Sequence, residues 1–218
     1  SLGTVVFAQQ FGSAANGIDH MVPRVKEEAF DQAGGSVLQG FGRSTAEGTL
    51  TYKSPSVDLA GVSMSIGLDY DPAAGGASDD HDATTGKTAG SAGSGTGAVI
   101  KFVSDMGVTV GAGVENISGQ GKEADKENTT AYALYTMGPV SVGYQAYYLD
   151  NGSAGDGSIA QGADYDGDAM SIAFNVNDNL SLGYGEINET KKGIMATAGT
   201  DRDIKSFTAA YSAGGMAL

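Results

Sequence analysis

The stretch Gly61-Val-Ser-Met-Ser-Ile-Gly-Leu-Asp-Tyr70 decides the architecture. Val62, Met64, Ile66, Leu68 and Tyr70 share one parity; Ser63, Ser65, Gly67 and Asp69 share the other. Successive side chains of a strand point to opposite faces, so this segment has one greasy face and one small, polar face. The pattern recurs outward along the chain. Val108, Val110, Ala112 and Val114 oppose Thr109, Gly111, Gly113 and Glu115, and Val142, Tyr144, Ala146 and Tyr148 oppose Ser141, Gly143, Gln145 and Tyr147. Ile172, Phe174 and Val176 oppose Ser171, Ala173 and Asn175, while Leu180, Leu182 and Tyr184 oppose Ser181, Gly183 and Gly185. Helical periodicity is nearly absent.

The alternation predicts strands near 3–10, 47–54, 61–70, 97–104, 107–116, 129–138, 140–149, 167–176, 179–188 and 202–212, with an eleventh beginning at Met216. The 202–212 segment fits least well, because Ile204 and Phe207 differ in parity. Long connections at 11–46, 71–96, 117–128, 150–166 and 189–201 alternate without exception with short ones at 55–60, 105–106, 139, 177–178 and 213–215. In an up-and-down meander every second connection lies at the same end, so one rim carries the large loops and the other only tight turns. The tight ones have turn chemistry: Asp105-Met106-Gly107, Gly138-Pro139, Asn177-Asp178-Asn179 and Gly214-Gly215.

Composition narrows the environment. The chain has 218 residues, 12 Lys+Arg against 26 Asp+Glu, a net charge of −14, 35 Gly and no Cys. The absence of cysteine excludes disulfides, thiolate zinc sites and a cysteine nucleophile. The acidity argues against a nucleic-acid partner, whose phosphates need cations. No run of about 18 apolar residues encodes a transmembrane helix. Ser1 leads at once into a strand-like run, without initiator Met, basic leader or cleavage site, which reads as a processed product or a fragment.

A soluble barrel turns its apolar face inward and a membrane barrel turns it outward, and alternation alone does not separate them. Three features favour the membrane. Acids collect in long loops: Asp71, Asp79, Asp80 and Asp82 in one, Asp150, Asp156, Asp164 and Asp166 in another. The apolar faces are almost free of charge, as lipid contact requires. The opposite faces, rich in Gly, Ser, Thr and Asn, are too small and polar for a packed core yet suited to lining water. Short turns at one rim, long loops at the other and strands of about 10 residues are the marks of an outer-membrane barrel. The expected fold is therefore an all-β, antiparallel, up-and-down transmembrane β-barrel.

The segment from Arg43 to Tyr70 resembles one hairpin of the general bacterial porins. It carries a Tyr-x-Ser-Pro strand ending at Tyr52, Ser54 and Pro55, a turn closing on Ala60-Gly61, and an alternating return strand. The Gly3–Gln10 strand, with Gly3-Thr4 and Gln9-Gln10, resembles the strand that precedes the family's long inward-folded loop. The resemblance implies a single barrel domain over residues 1–218, supplying 10–11 strands of a barrel of about 16, large enough for an aqueous channel. Roughly four strands are then expected before Ser1 and one or two after Leu218, since an open sheet cannot live in lipid. It further implies a homotrimer in the outer membrane of a Gram-negative bacterium, contacting its lipid and passing small hydrophilic solutes and ions by passive diffusion.

Residues 11–46 correspond, by that resemblance, to a constriction loop folded into the lumen. The connection is in itself too long for an idle loop, and its middle carries the chain's one helical signal, with Pro23 in the first turn and Gly34-Gly35 as its stop. Acids on such a loop face bases on the wall across a water-filled eyelet, and rings of side chains set selectivity. The candidates for the acidic side are Asp19, Glu27, Glu28 and Asp31; those for the basic side are Arg24, Lys26, Arg43, Lys53 and Lys101. Lys53 and Lys101 share parity with the small polar faces of their strands.

Other constellations have plainer readings. Asp164-Tyr-Asp166-Gly-Asp168 resembles part of a calcium loop but lacks EF-hand spacing and a terminal Glu, which favours a solvated acidic loop over a calcium site; no other cofactor is indicated. Asp79-Asp80-His81-Asp82 reads as surface. No nucleophile elbow or phosphate loop occurs, so no enzyme is expected. Tyr52, Tyr70, Tyr135, Tyr147 and Tyr148 sit near strand ends, where interfacial girdles form. The alternative to a channel is a structural or adhesive all-β surface protein with acidic, calcium-binding loops.

Overall fold

Alternating side chains and tight turns build one antiparallel meander. The computed structural model describes residues 2–9, 14–18, 20–25, 48–72, 93–118, 125–150, 164–192, 201–213 and 216–217. The strands are β1 Thr4–Gln9, β2 Gly48–Lys53, β3 Val57–Asp58, β4 Val62–Asp71, β5 Gly95–Ser104 and β6 Val108–Ile117. There follow β7 Lys126–Met137, β8 Val140–Asp150, β9 Asp164–Asn177, β10 Leu180–Lys192, β11 Asp201–Ala213 and β12 Met216–Ala217. The order across the sheet is β1-β2-β4-β5-β6-β7-β8-β9-β10-β11-β12, with β3 paired to β4. Among the described residues β1 and β12 are not joined, so the sheet is open.

Every strand expected from alternation is present. The addition is β3, which turns the 55–60 connection into a small hairpin: Val57 pairs with Met64 and Asp58 with Ser63. Its tip is Ala60-Gly61, both left-handed at φ 58° and 89°. A two-residue turn with positive φ at both central positions matches the strand twist, and Leu59 N–H donates to Val62 O at 2.7 Å across it. Gly107, at φ 84°, is equally constrained, because a Cβ there would overlap the Thr136 carbonyl. At the turn between β9 and β10 the Asn177 side chain accepts from the N–H groups of Asn179 and Leu180 at 2.9 and 3.0 Å. This is the local hydrogen bonding that makes Asn a turn residue.

The registers sort the two faces. On one, Leu68 stands beside Tyr52 and Ala98, Ile66 beside Ile100, Met64 beside Phe102, and Tyr184 beside Ile172 and Phe207. These side chains do not gather into a dry interior: Leu68, Met170, Ile172, Phe174, Tyr184 and Phe207 are exposed, the last at 71%. On the other face lie Ser65, Gly67, Gly111, Gly113, Thr130, Gly143 and Ser171. Ile204 belongs to this second face and Phe207 to the first, which explains why β11 read poorly: its apolar residues serve two sides.

The apolar belt runs obliquely to the hydrogen-bond rows. On β4 it centres on Ile66, whose row continues through Ile100, Ala112, Ala131, Ala146 and Asp168 to Asn188 and Asp203. On β11 the belt centres instead on Ala209, about six residues further along. That is about 20 Å of strand over about seven inter-strand steps, or about 34 Å, so the strands cross the belt at roughly 30° from its normal. Strand tilts of about 35–45° are usual in transmembrane barrels. The tilt corrects the expectation of charge-free outer faces. Of the outward acids of β9 to β11, Asp164, Asp166, Asp168, Asp201 and Asp203 lie towards strand ends carried beyond the belt, and Glu186, beside Met170 and Lys205, borders it.

Candidate functional site

The small residues of the second face leave a bed, and part of the 11–46 connection lies in it. Residues 14–18 and 20–25 cross this face from β4 to β10, including a 3-10 turn at Ala15–Ile18. Four glycines mark the path. A Cβ on Gly67 (β4) would stand 3.5 Å from Ala14 Cβ, and one on Gly113 (β6) would meet Ile18 Cδ1 at 2.6 Å. One on Gly143 (β8) would overlap Pro23, and one on Gly183 (β10) would stand 2.8 Å from Val25 Cγ2. At Gly143 a methyl group would press on the Pro23 ring and the Val22 backbone and so on the segment itself; at Gly113 and Gly183 it would crowd the Ile18 and Val25 side-chain tips, and at Gly67 it would make ordinary contact.

Polar side chains of the wall then fix the segment. Asp69 accepts from the Ala14 N–H at 2.6 Å, Gln145 bonds Ile18 O and Met21 N–H, and Ser171 Oγ donates to Pro23 O at 2.5 Å. Ile18 and Val22 are buried, at 5% and 3% exposure. Val22 joins Tyr147, Leu149, Ala169 and Ile187 in a small cluster flanked by Tyr165 and Ile204. The inner face was expected to lack a packed core; locally it has one, and the inward segment completes it. Tyr147 is part of it, so this tyrosine belongs to no interfacial girdle. Its hydroxyl donates to Glu189 Oε1 at 2.5 Å, and Arg202 Nη1 donates to Glu189 Oε2 at 3.3 Å.

The crossing keeps to one depth. Gly67 neighbours Ile66, the middle of the outer belt on β4, and Gly183 lies between Leu182 and Tyr184, within the belt on β10. The segment thus descends across the hydrogen-bond rows in step with the tilted belt outside.

Of the expected site residues, Lys53 and Lys101 lie on this inner face as their parity indicated. Lys53 stands beside Gly67, under Ala14, and Lys101 beside Ser65 and Gly111. Arg24 belongs to the inward segment, its Nη1 3.3 Å from His20 Nδ1. Asp19, Lys26, Glu27, Glu28, Asp31 and Arg43 lie outside the described residues, as does the expected helix beyond Val25; Pro23, expected in its first turn, Arg24 and Val25 are not helical. The inner face also carries Asp69, Asp71, Glu115 and Glu189, all buried. Parity alone placed Asp69 and Glu115 here, but their burial depends on what covers them.

Asp164, Asp166 and Asp168 are on β9 and not in a loop, spaced along its outer face with about 6.7 Å between successive members. Asp166 binds Lys192 Nζ at 2.6 Å and Asp168 accepts from Asn188 Nδ2 at 3.4 Å. The Asp166 carboxylate holds the Lys192 ammonium, beyond the belt, above its usual pKa range. Among the described residues no three His, Asp or Glu side chains are placed to hold a metal ion.

No family model and no curated protein sequence matches the chain. Among solved structures it is similar to a porin refined at 1.8 Å resolution, with a TM-score of 0.61 and 15% sequence identity, over 98% of this chain and 69% of that one. The antiparallel meander therefore has a porin-like fold.

Proposed function

We propose that this chain is the wall and inner constriction of an outer-membrane diffusion channel, passing small hydrophilic solutes and ions without catalysis. One observation carries the reading: residues 14–18 and 20–25 cross the small-residue face at the depth of the apolar belt on the opposite face. A belt against hydrocarbon and an obstruction at the same height inside is the arrangement a bilayer pore requires. The strands between the two edges pair their backbone groups on both sides within the sheet, as a spanning structure must.

The selectivity reading rests on chemistry. In this reading Asp19, Glu27, Glu28 and Asp31 of the inward connection supply the acidic side and Lys53 and Lys101 of the wall, with Arg24, Lys26 and Arg43, the basic side, so that permeant ions meet a transverse field. The assembly is a homotrimer in the outer membrane of a Gram-negative bacterium. The test is planar-bilayer recording of the full-length gene product. Stepwise conductance is expected, with Glu27→Gln/Glu28→Gln shifting ion preference away from cations. A protein that extracts into buffer without detergent and adds no conductance sinks the channel in favour of an adhesive surface role. Unchanged selectivity in the double variant removes the assignment of the acids alone.

A further inference from the structure

Gln145 is fully buried, near the midpoint of the inward segment's path. Its Nε2 donates to Ile18 O at 2.9 Å, and its Oε1 accepts from the Met21 N–H at 2.8 Å. Ile18 and Met21 stand three apart, the spacing of the first C=O and fourth N–H of a β-turn. A carboxamide has both a donor and an acceptor, so one side chain satisfies both backbone groups. Nε2 also donates to Thr130 Oγ1 at 2.9 Å, and Thr130 Oγ1 to Ala146 O at 3.0 Å, which ties the amide's orientation to the wall. Asp69 and Ser171 bond the segment near its ends; Gln145 grips a backbone C=O and a backbone N–H at its centre.

We propose that Gln145 is the positioning residue of the constriction: it sets where the segment sits on the wall, and through that the open-state conductance. The conductance part rests on the channel reading above; the positioning part does not. No other side chain of similar size substitutes for it. Glu as a carboxylate keeps the acceptor for Met21 but presents a second acceptor to Ile18 O, and Leu keeps the volume but loses both bonds. Two hydrogen bonds of ordinary net strength together make about a decade in an equilibrium constant, so either variant raises the population of displaced segment about tenfold.

The test compares wild type, Gln145→Leu and Gln145→Glu in the full-length protein by two measurements. In single-channel recordings both variants are expected to spend about tenfold more time at altered conductance levels, at unchanged wall stability to heat. Hydrogen exchange at the Met21 amide in detergent is expected to accelerate by a similar factor. A Val25→Cys/Gly183→Cys crosslink, with 3.4 Å between the Val25 Cβ and a Cβ on Gly183, is expected to restore quiet current to Gln145→Leu until reductant is added. Wild-type exchange at Met21 in both variants overturns the positioning role. Faster exchange with wild-type current overturns its link to conductance. Absence of channels in the wild type refutes the channel reading, while exchange still decides what Gln145 does. Should Gln145→Leu not fold, Gln145→Glu carries the comparison.

Discussion

A disulfide between positions 14 and 67 would tie the inward segment to the wall. The Ala14 Cβ and a Cβ built on Gly67 are 3.5 Å apart, at the short end of the roughly 3.5–4.5 Å found in disulfides. The native chain has no cysteine, so an Ala14→Cys/Gly67→Cys variant contains one pair and no competing thiol. Oxidation closes a loop of roughly 50 residues, and the chain-entropy model gives about 4 kcal/mol of stabilisation for that length. The variant is refolded in detergent, oxidised, alkylated, and run unreduced after complete unfolding. A faster band and no alkylation are expected, with a raised unfolding midpoint that falls again on reduction. The companion variant Ala14→Cys/Ile66→Cys moves the second thiol one residue along β4, to the opposite face. It is expected to leave both thiols open to alkylation. Alkylation of the first pair in folded protein, or equal crosslinking of the two pairs, refutes the placement of the segment and of the two faces.

Other perturbations separate wall, belt and bed. Ile66→Lys puts a charge at the middle of the outer belt and should cost about 2–4 kcal/mol in lipid; Ser65→Lys, its neighbour on the inner face, should cost far less, both read by urea unfolding in vesicles. Gly143→Val fills the bed where a Cβ would already meet Leu134 Cδ2 at 2.7 Å and Val22 Cα at 3.3 Å. Overpacking of that kind costs about 1–3 kcal/mol, and limited proteolysis should show the inward segment released while the strands stay protected. Glu189→Leu removes the acceptor of both Tyr147 and Arg202, with an expected loss of about 1–3 kcal/mol. Adding Tyr147→Phe should cost less than it does in the wild type, a non-additivity measurable by a double-mutant cycle.

The strands were legible because a two-residue period survives any tertiary context that keeps one face greasy. Val62 to Tyr70 on β4 states its two faces without ambiguity. β11 did not, because Ile204 packs inward beside Ile187 while Phe207 faces outward. β9 begins at Asp164, earlier than expected, since carboxylates at alternate positions look like loop when water and not lipid is their neighbour. Lys53 and Lys101 were placed by parity. By its sequence Gln145 is one polar residue among many on inner faces. What singles it out is a partner 127 residues away in the chain, and no local pattern encodes that. The four glycines likewise belong by sequence to a small, polar lining, whereas their common property is proximity to one passing segment.

The two surfaces of this sheet constrain each other through that segment. A tilted wall carries its apolar belt across successive strands at shifting positions, lower by about six residues on β11 than the row of Ile66 would give. A segment that crosses the inner face at constant depth must shift in the same sense, so its bed cannot follow a hydrogen-bond row. The glycines obey this: Gly67 and Gly113 share a row with Lys53 and Thr130, but Gly143 lies further towards the short turns and Gly183 further still. Strand tilt, read from hydrophobic side chains on the outside, therefore fixes where small residues are needed on the inside. A substitution that moved the belt on one strand, such as Leu182→Asp with a new apolar pair nearer Lys192, would leave Gly183 at the wrong height for Val25. That wall should still assemble, with its inward segment unseated at the β10 end while Ala14 stays on Gly67, an outcome the Ala14 and Val25 crosslinks would report separately.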